Sequence, residues 1–311
     1  MAPIDPSRFP FALLAPPDPA ALPLPPAAYP VPGVRQLRGA IYALPEGQRP
    51  LELDLWLPDG TPDGAPPPLV VFVHGGAWRM GRRDTFGPRF RAWQPDPFAR
   101  LAQAGLAVAS PSYRLSGEAT YPAQRDDLAA ALAWLHTRAK EIGLDTSRTV
   151  LWGEAAGGHL AALIALTLRG AEDTATITGC VTWYASSDLN ALAADHPDGV
   201  YDAHDPHTFE ARLLGAPAGD DPAFARDASP VSHVTPDAPP FLILHGTEDA
   251  LVPSGQSVRL AEALREAGTT PDLLLIKGGN HLWVGLPDAG VEEVFNRTLD
   301  FIVGHTRPAG A

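Results

Sequence analysis

Residues 149–160 read Thr-Val-Leu-Trp-Gly-Glu-Ala-Ala-Gly-Gly-His-Leu, an apolar β run that turns through small residues into a helix. A strand, a sharp turn and a helix start follow from that order. Gly153, Ala156, Gly157 and Gly158 leave room for a backbone too tight for larger neighbours. A turn of this kind lifts the side chain at its centre above the edge of a sheet, and that centre is Ala155.

The spacing matches the nucleophile elbow, Gly-x-Ser-x-Gly, in which a strained turn exposes a serine Oγ. Here the serine position holds Ala155. A methyl group neither attacks a carbonyl nor gives up a proton, so the chain as written is expected to lack covalent catalysis. The other parts of such a site decide whether this is one change in a complete machine.

Leu69-Val70-Val71-Phe72-Val73 is a continuous apolar run, as a strand buried on both faces requires, and it delivers His74-Gly75-Gly76-Ala77-Trp78. Glycines directly after a buried strand let backbone N–H groups aim at a bound carbonyl oxygen, an oxyanion hole that the N–H of Ala156 would complete. Further along, Phe241–Leu244 reads as a strand ending at His245-Gly246-Thr247-Glu248-Asp249, and 272–276 as a strand followed by Gly278-Gly279-Asn280-His281. The order is therefore nucleophile position 155, acid Asp249, base His281. Glu248 is an alternative acid.

Between these points strands and helices alternate, the pattern of an α/β fold with a mostly parallel central sheet flanked by helices. An antiparallel pair is expected at 37–43 and 51–57, with Leu51, Leu53 and Leu55 alternating against Glu52, Asp54 and Trp56. Helices are expected near 97–104, from Pro122 to about Ile142, over 255–267 and over 291–303. Residues 1–36 form a Pro-rich N-terminal arm; eleven of the 35 prolines lie in the first 33 residues. Disorder and packing over the site mouth through Phe9, Phe11, Leu13, Leu14 and Tyr29 are both open for it. The main domain is expected over 37–311. Within it, 186–237 breaks the alternation around one short helical piece, 208–214, and reads as a lid or substrate-binding insertion.

The run from His74-Gly75-Gly76-Ala77-Trp78 through Tyr113-Arg114-Leu115 to Gly153-Glu154-Ala155-Ala156-Gly157-Gly158-His159 resembles the hormone-sensitive-lipase-like bacterial esterases of the α/β-hydrolase fold, with feruloyl-esterase relatives. The likeness covers roughly residues 45–305. It implies a serine carboxylesterase acting on a small-to-medium acyl or aryl ester, with no cofactor and no metal. It places the nucleophile at Ala155, the base at His281, the acid at Asp249, and the oxyanion donors at Gly76, Ala77 and Ala156, with Gly75 shaping the turn. Trp78 and Glu154, bordering these groups, are expected to meet substrate. His-Gly-Gly-x-Trp is also similar to arylformamidases, so amide or formamide hydrolysis is the alternative chemistry. A non-catalytic ligand-binding protein of the same fold is the alternative class. With acid, base and oxyanion loop all retained, Ala155 reads as a Ser→Ala knock-out in an intact site rather than a natural pseudoenzyme.

Smaller features carry expectations too. Arg79, Arg82, Arg83, Arg89 and Arg91 make either a solvated loop or a clamp for an anionic substrate group. His74 and His159 read as structural, and Asp202, His204, Asp205 and His207 as solvent-exposed despite loose metal-ligand spacing. The net charge of −13 and pI near 5.1 oppose a nucleic-acid partner. Cys180, the one cysteine, is expected in a buried strand. No apolar run has membrane-spanning length and Phe11–Ala15 has no basic flank, so no membrane partner and a cytoplasmic location are expected. Homo-oligomerisation is left open.

Overall fold

A computed structural model of the chain describes residues 16–61, 64–168, 170–197 and 199–307. The strands β1 (Ala27–Val31), β2 (Val34–Ala43), β3 (Leu51–Pro58), β4 (Pro68–Val73), β5 (Ala107–Pro111), β6 (Asp145–Glu154), β7 (Ile177–Trp183), β8 (Phe241–Gly246) and β9 (Asp272–Ile276) form one sheet. Its order is β1-β2-β3-β5-β4-β6-β7-β8-β9. The first three pair antiparallel and join β5 antiparallel; from β5 through β9 every pairing is parallel.

Alternation along the central strands explains why they read as unbroken apolar runs. In β4, Leu69, Val71 and Val73 face one core while Val70 and Phe72 face another. The first core is aliphatic and covered by α2 (Ala123–Ile142), α3 (Ala156–Thr167) and α7 (Gly255–Glu266). The second is aromatic and covered by α1 (Pro97–Gln103) and α8 (Asp288–His305). There Phe72 and Phe86 stack at 4.4 Å, and Trp152 meets Trp183 edge-on at 4.8 Å. Cys180 is buried in β7.

Two expectations need correction. Residues 27–36, assigned to the arm, are the edge strand β1 and the start of β2. Prolines are tolerated there because an edge strand leaves one row of donors unused. The segment before it runs along α2, where Trp134 Nε1 donates to the Pro19 carbonyl and Arg138 Nη1 to those of Ala20 and Leu22. Phe9, Phe11, Leu13 and Leu14 lie outside the described residues.

The face of β3 opposite its leucines carries a buried acid and a buried ring. Asp54 is fully buried there, bonded by Arg83 Nε at 2.8 Å, and Trp56 stacks on Phe98. A buried carboxylate needs such a partner, which gives Arg83 its place.

The described residues of 186–237 hold three α-helices, α4 (Leu192–Asp195), α5 (Phe209–Leu214) and α6 (Pro222–Asp227), and a 3-10 turn at Pro230–His233, rather than one helical piece. Helix α5 is the piece expected at 208–214, whereas α4 and α6 are too short to show a helical period in sequence. The ends of α5 and α6 are fixed by capping, Thr208 Oγ1 accepting from Ala211 N and Asp221 Oδ1 from Phe224 N. Among the described residues no helix is long and apolar enough to cross a membrane.

Candidate active site

The elbow sits where β6 passes into α3. Ala155 has φ 47° and ψ −120°, a conformation that costs a non-glycine residue about 1–3 kcal/mol. Its surroundings impose it: Ala155 N donates to the Trp183 carbonyl at 2.9 Å, and its own carbonyl accepts from His159 N at 3.0 Å. The small neighbours are obligatory. A Cβ on Gly153 would strike the Gly157 carbonyl, and one on Gly157 would strike the Val73 carbonyl.

The loop after β4 bends over this elbow, with Gly76, Ala77 and Trp78 all at positive φ. Arg79 N and Met80 N both return to the Gly76 carbonyl at 3.0 Å. His74 and His159 pin the loop from behind. The His74 ring stacks on Tyr113 and its Nδ1–H donates to the Gly75 carbonyl at 2.8 Å. His159 Nδ1 accepts from Trp78 Nε1 at 3.2 Å while Nε2–H donates to the Ala228 carbonyl at 2.7 Å. Burial pushes both imidazoles down to about 4, so both are neutral at pH 7.

Asp249 and His281 come from the loops after β8 and β9. His281 Nδ1–H donates to Asp249 Oδ2 at 2.8 Å; Asp249 Oδ1 accepts from Leu251 N at 2.9 Å and Val252 N at 2.8 Å. Burial works against this carboxylate's charge, but bonds from His245, His281 and Val252 outweigh it and hold Asp249 far below the usual carboxylate range. Asn280 Oδ1 ties the two loops, accepting from Ala250 N at 3.1 Å and His281 N at 2.7 Å. Glu248 is exposed and bonded by Thr247, away from His281.

Ala155, Ala156, Gly76, Ala77, Trp78 and His281 all line one cavity of about 460 Å³. Met80, Leu251 and Leu282 extend its wall, and Val200, Tyr201, Phe209 and Glu210 from the insertion cover it. With Nδ1 committed to Asp249, Nε2 is the His281 nitrogen left to serve this cavity.

Two expected contacts fall outside it. Glu154 is buried behind the oxyanion loop, where its carboxylate accepts from the Tyr184 hydroxyl at 2.8 Å and from Gly75 N–H. Gly75 therefore shapes the loop with its N–H already spent. Burial raises the Glu154 pKa against the pull of those two donors and of His281. The expectation that Glu154 meets substrate is corrected accordingly: the residue beside the elbow points into the protein, where Tyr184 and Gly75 hold its carboxylate.

The arginines are also placed elsewhere. Arg82 pairs with Asp84 and Arg83 with Asp54. Arg89 donates to the Trp283 and Leu286 carbonyls, bracing the segment after His281, and pairs with Asp288. None of the five lines the cavity, so the anionic-substrate clamp is not built. In the insertion, Asp202 and Asp205 accept from the backbone N–H groups of His204 and His207, and His204 pairs with Asp220.

One functional side chain escaped the sequence reading. His245, fully buried at the end of β8, points Nε2–H at Asp249 Oδ2 (3.2 Å) and the Val252 carbonyl (2.9 Å), while Nδ1 accepts from Ser257 Oγ at 2.7 Å. Asp249 Oδ2 thus faces two imidazoles. The signal was present as a histidine at a buried strand end, four residues before the acid.

Residues 53–264 match the BD-FAE family. Esterase LipQ of Mycobacterium tuberculosis is 34% identical over 231 residues, 71% of this chain and 51% of that protein. A probable isoprenylcysteine alpha-carbonyl methylesterase of Arabidopsis thaliana, ICMEL1, is 26% identical over 276 residues, 83% of this chain and 54% of the relative. The chain spans about half the length of the curated relatives it matches. Among solved structures, a truncated carbohydrate esterase from gut microbiota superposes with a TM-score of 0.72 at 25% identity, over 87% of this chain and 96% of that one. A bacterial heroin esterase gives 0.67 at 25% identity, over 89% and 86%. With its elbow, Asp249 and the strands β4 to β8 inside the matched region and His281 beyond its end, the chain belongs to the BD-FAE family and has the α/β-hydrolase fold.

Proposed function

We propose that this site is built for carboxylic-ester hydrolysis through an acyl-enzyme, and that the chain with Ala155 binds an ester without turning it over. The observation that carries the reading is the 2.8 Å bond from His281 Nδ1 to Asp249 Oδ2 beside a cavity that also holds the strained elbow. A serine at position 155 would attack the ester carbonyl while His281 Nε2 takes its proton. Asp249, held ionised, stabilises the imidazolium. The N–H groups of Gly76, Ala77 and Ala156 would receive the oxyanion, and the imidazolium would then protonate the departing alcohol. In deacylation His281 removes a proton from water as its oxygen attacks the acyl carbon, and the serine leaves with that proton.

The mostly apolar wall, with Trp78, Met80, Leu251 and Leu282, supports a small-to-medium acyl or aryl ester. The test is hydrolysis of p-nitrophenyl acetate through octanoate, with an aryl formamide alongside, by this chain and by Ala155→Ser. Ester turnover by Ala155→Ser alone, with one preferred acyl length, is the expected result. Faster turnover of the formamide would move the reading to amide chemistry, and silence on every substrate would leave a ligand-binding protein.

A further inference from the structure

The roof of the cavity carries one group that the ester chemistry does not use. Glu210, the second residue of α5, is 9% exposed and lines the cavity. Its Oε2 accepts from the Tyr201 hydroxyl at 3.2 Å, and its own backbone N–H also reaches the carboxylate. Tyr201 is held in turn by His196, the two rings stacked at 5.3 Å with 3° between their planes.

These bonds satisfy lone pairs but bring no countercharge. Among the described residues lining the cavity there is no arginine or lysine. Arg212, two residues on, is exposed and donates to the His207 carbonyl instead. His196 is kept neutral, since burial pushes its imidazole down. His281 is already engaged by Asp249, which adds a second negative charge behind the cavity. A buried charge without an ionic partner is expensive, and a ligand that supplies the partner recovers that cost on binding. Burial pushes the Glu210 carboxyl up, as expected of an acid awaiting its counter-ion. The rings of Tyr201 and Phe209 on the same wall add faces that favour a cation, and the net charge of −13 favours its approach.

We propose that the cavity takes an apolar ester bearing a protonated amine, with Glu210 as the amine's counter-ion and Tyr201 holding the carboxylate toward it. This rests on the ester reading, since the hydrocarbon and carbonyl of the same ligand occupy the apolar wall and the elbow.

Because Ala155 blocks turnover, binding can be measured directly on the unmodified chain by calorimetry at pH 7 and low salt. The probes are 2-(dimethylamino)ethyl butyrate, its carbon isostere 3-methylbutyl butyrate and its hydroxyl isostere 3-hydroxybutyl butyrate, with homologues whose spacer is longer by two and four methylenes. At one length at least, the ammonium ester is expected to bind about tenfold or more tightly than both isosteres. That ratio should fall toward one in Glu210→Gln.

Equal or weaker binding of the ammonium ester at all three lengths overturns the proposal on the unmodified chain, whatever the variant does. A preference that persists in Glu210→Gln overturns the role of Glu210. In either case, hydrolysis of 3-methylbutyl butyrate by Ala155→Ser would leave the ester reading standing. No binding of any ester, with no hydrolysis by Ala155→Ser, would overturn both.

Discussion

On the floor of the cavity, the elbow, the oxyanion loop and the acid–base loops are fixed by backbone hydrogen bonds and by glycines with no room for a Cβ. The roof, 186–237, is instead built of short helices joined by loops, and it leaves Val200 and Phe209 exposed at the cavity. The floor is over-determined. Ala155 keeps the elbow backbone without any hydroxyl to stabilise it, so the shape belongs to the neighbours and not to the nucleophile. The roof, with few constraints, is where the same chemistry can be aimed at different esters.

The largest effect is expected from acid, which reaches the floor through His74 and His159 and, by the bond from His159 to the Ala228 carbonyl, its seam with the roof. His74 and His159 sit near 4 when folded and near 6.5 when unfolded, so below about pH 6.5 the unfolded chain binds protons that the folded one refuses. Stability is then lost as pH falls from 6.5 toward 4, by roughly 2.7 kcal/mol per pH unit from the pair across that window. Urea midpoints measured from pH 7 to 4.5 should fall steeply below 6.5. A flat profile would mean that the two imidazoles are not held neutral.

Next in size is Asp249→Asn in the Ala155→Ser background. The asparagine keeps the shape but cannot stabilise the imidazolium, and kcat should drop by about 10⁴-fold. A loss below tenfold would assign the acid elsewhere. His245→Asn in the same background removes one N–H from Asp249 while leaving His281 in place. The expectation is a kcat roughly tenfold lower with KM unchanged, since the group acts on the acid and not on substrate. A change confined to KM would contradict this.

The smallest effect is on the roof. Phe209→Ala should raise KM for octanoate esters about fivefold, with little change for acetate, because only the longer acyl chain reaches that wall. Equal changes for both esters would show that the roof acts through the floor.

Sequence and structure agree best where packing allows one solution. The central parallel strands are covered on both faces, so β4 and β6 are legible as apolar runs, and the glycines around Ala155 mark a turn that nothing larger can make. Asp249 follows the buried run of β8, whereas His281 follows β9, a partly exposed edge strand that reads as a strand from its run of leucines. The direction of Glu154 was not, since whether a residue beside an elbow faces the cavity or the core depends on Tyr184 and Gly75, which are distant or silent in sequence. Similarly, the arginines of 79–91 find partners as far away as Asp288, and no local spacing reveals that. Edge strand β1 hid among prolines, and within the insertion α5 was expected while α4 and α6 are too short for a period to expose them.

On the reading proposed above, position 155 is the nucleophile's seat, activated by His281. The most direct measurement is the intact mass of the protein after incubation with a small fluorophosphonate, followed by peptide mapping. The account predicts one phosphonyl group on Ala155→Ser, at residue 155, and none on the chain with alanine. Failure of Ala155→Ser to react, or equal labelling of both proteins at another residue, would contradict it.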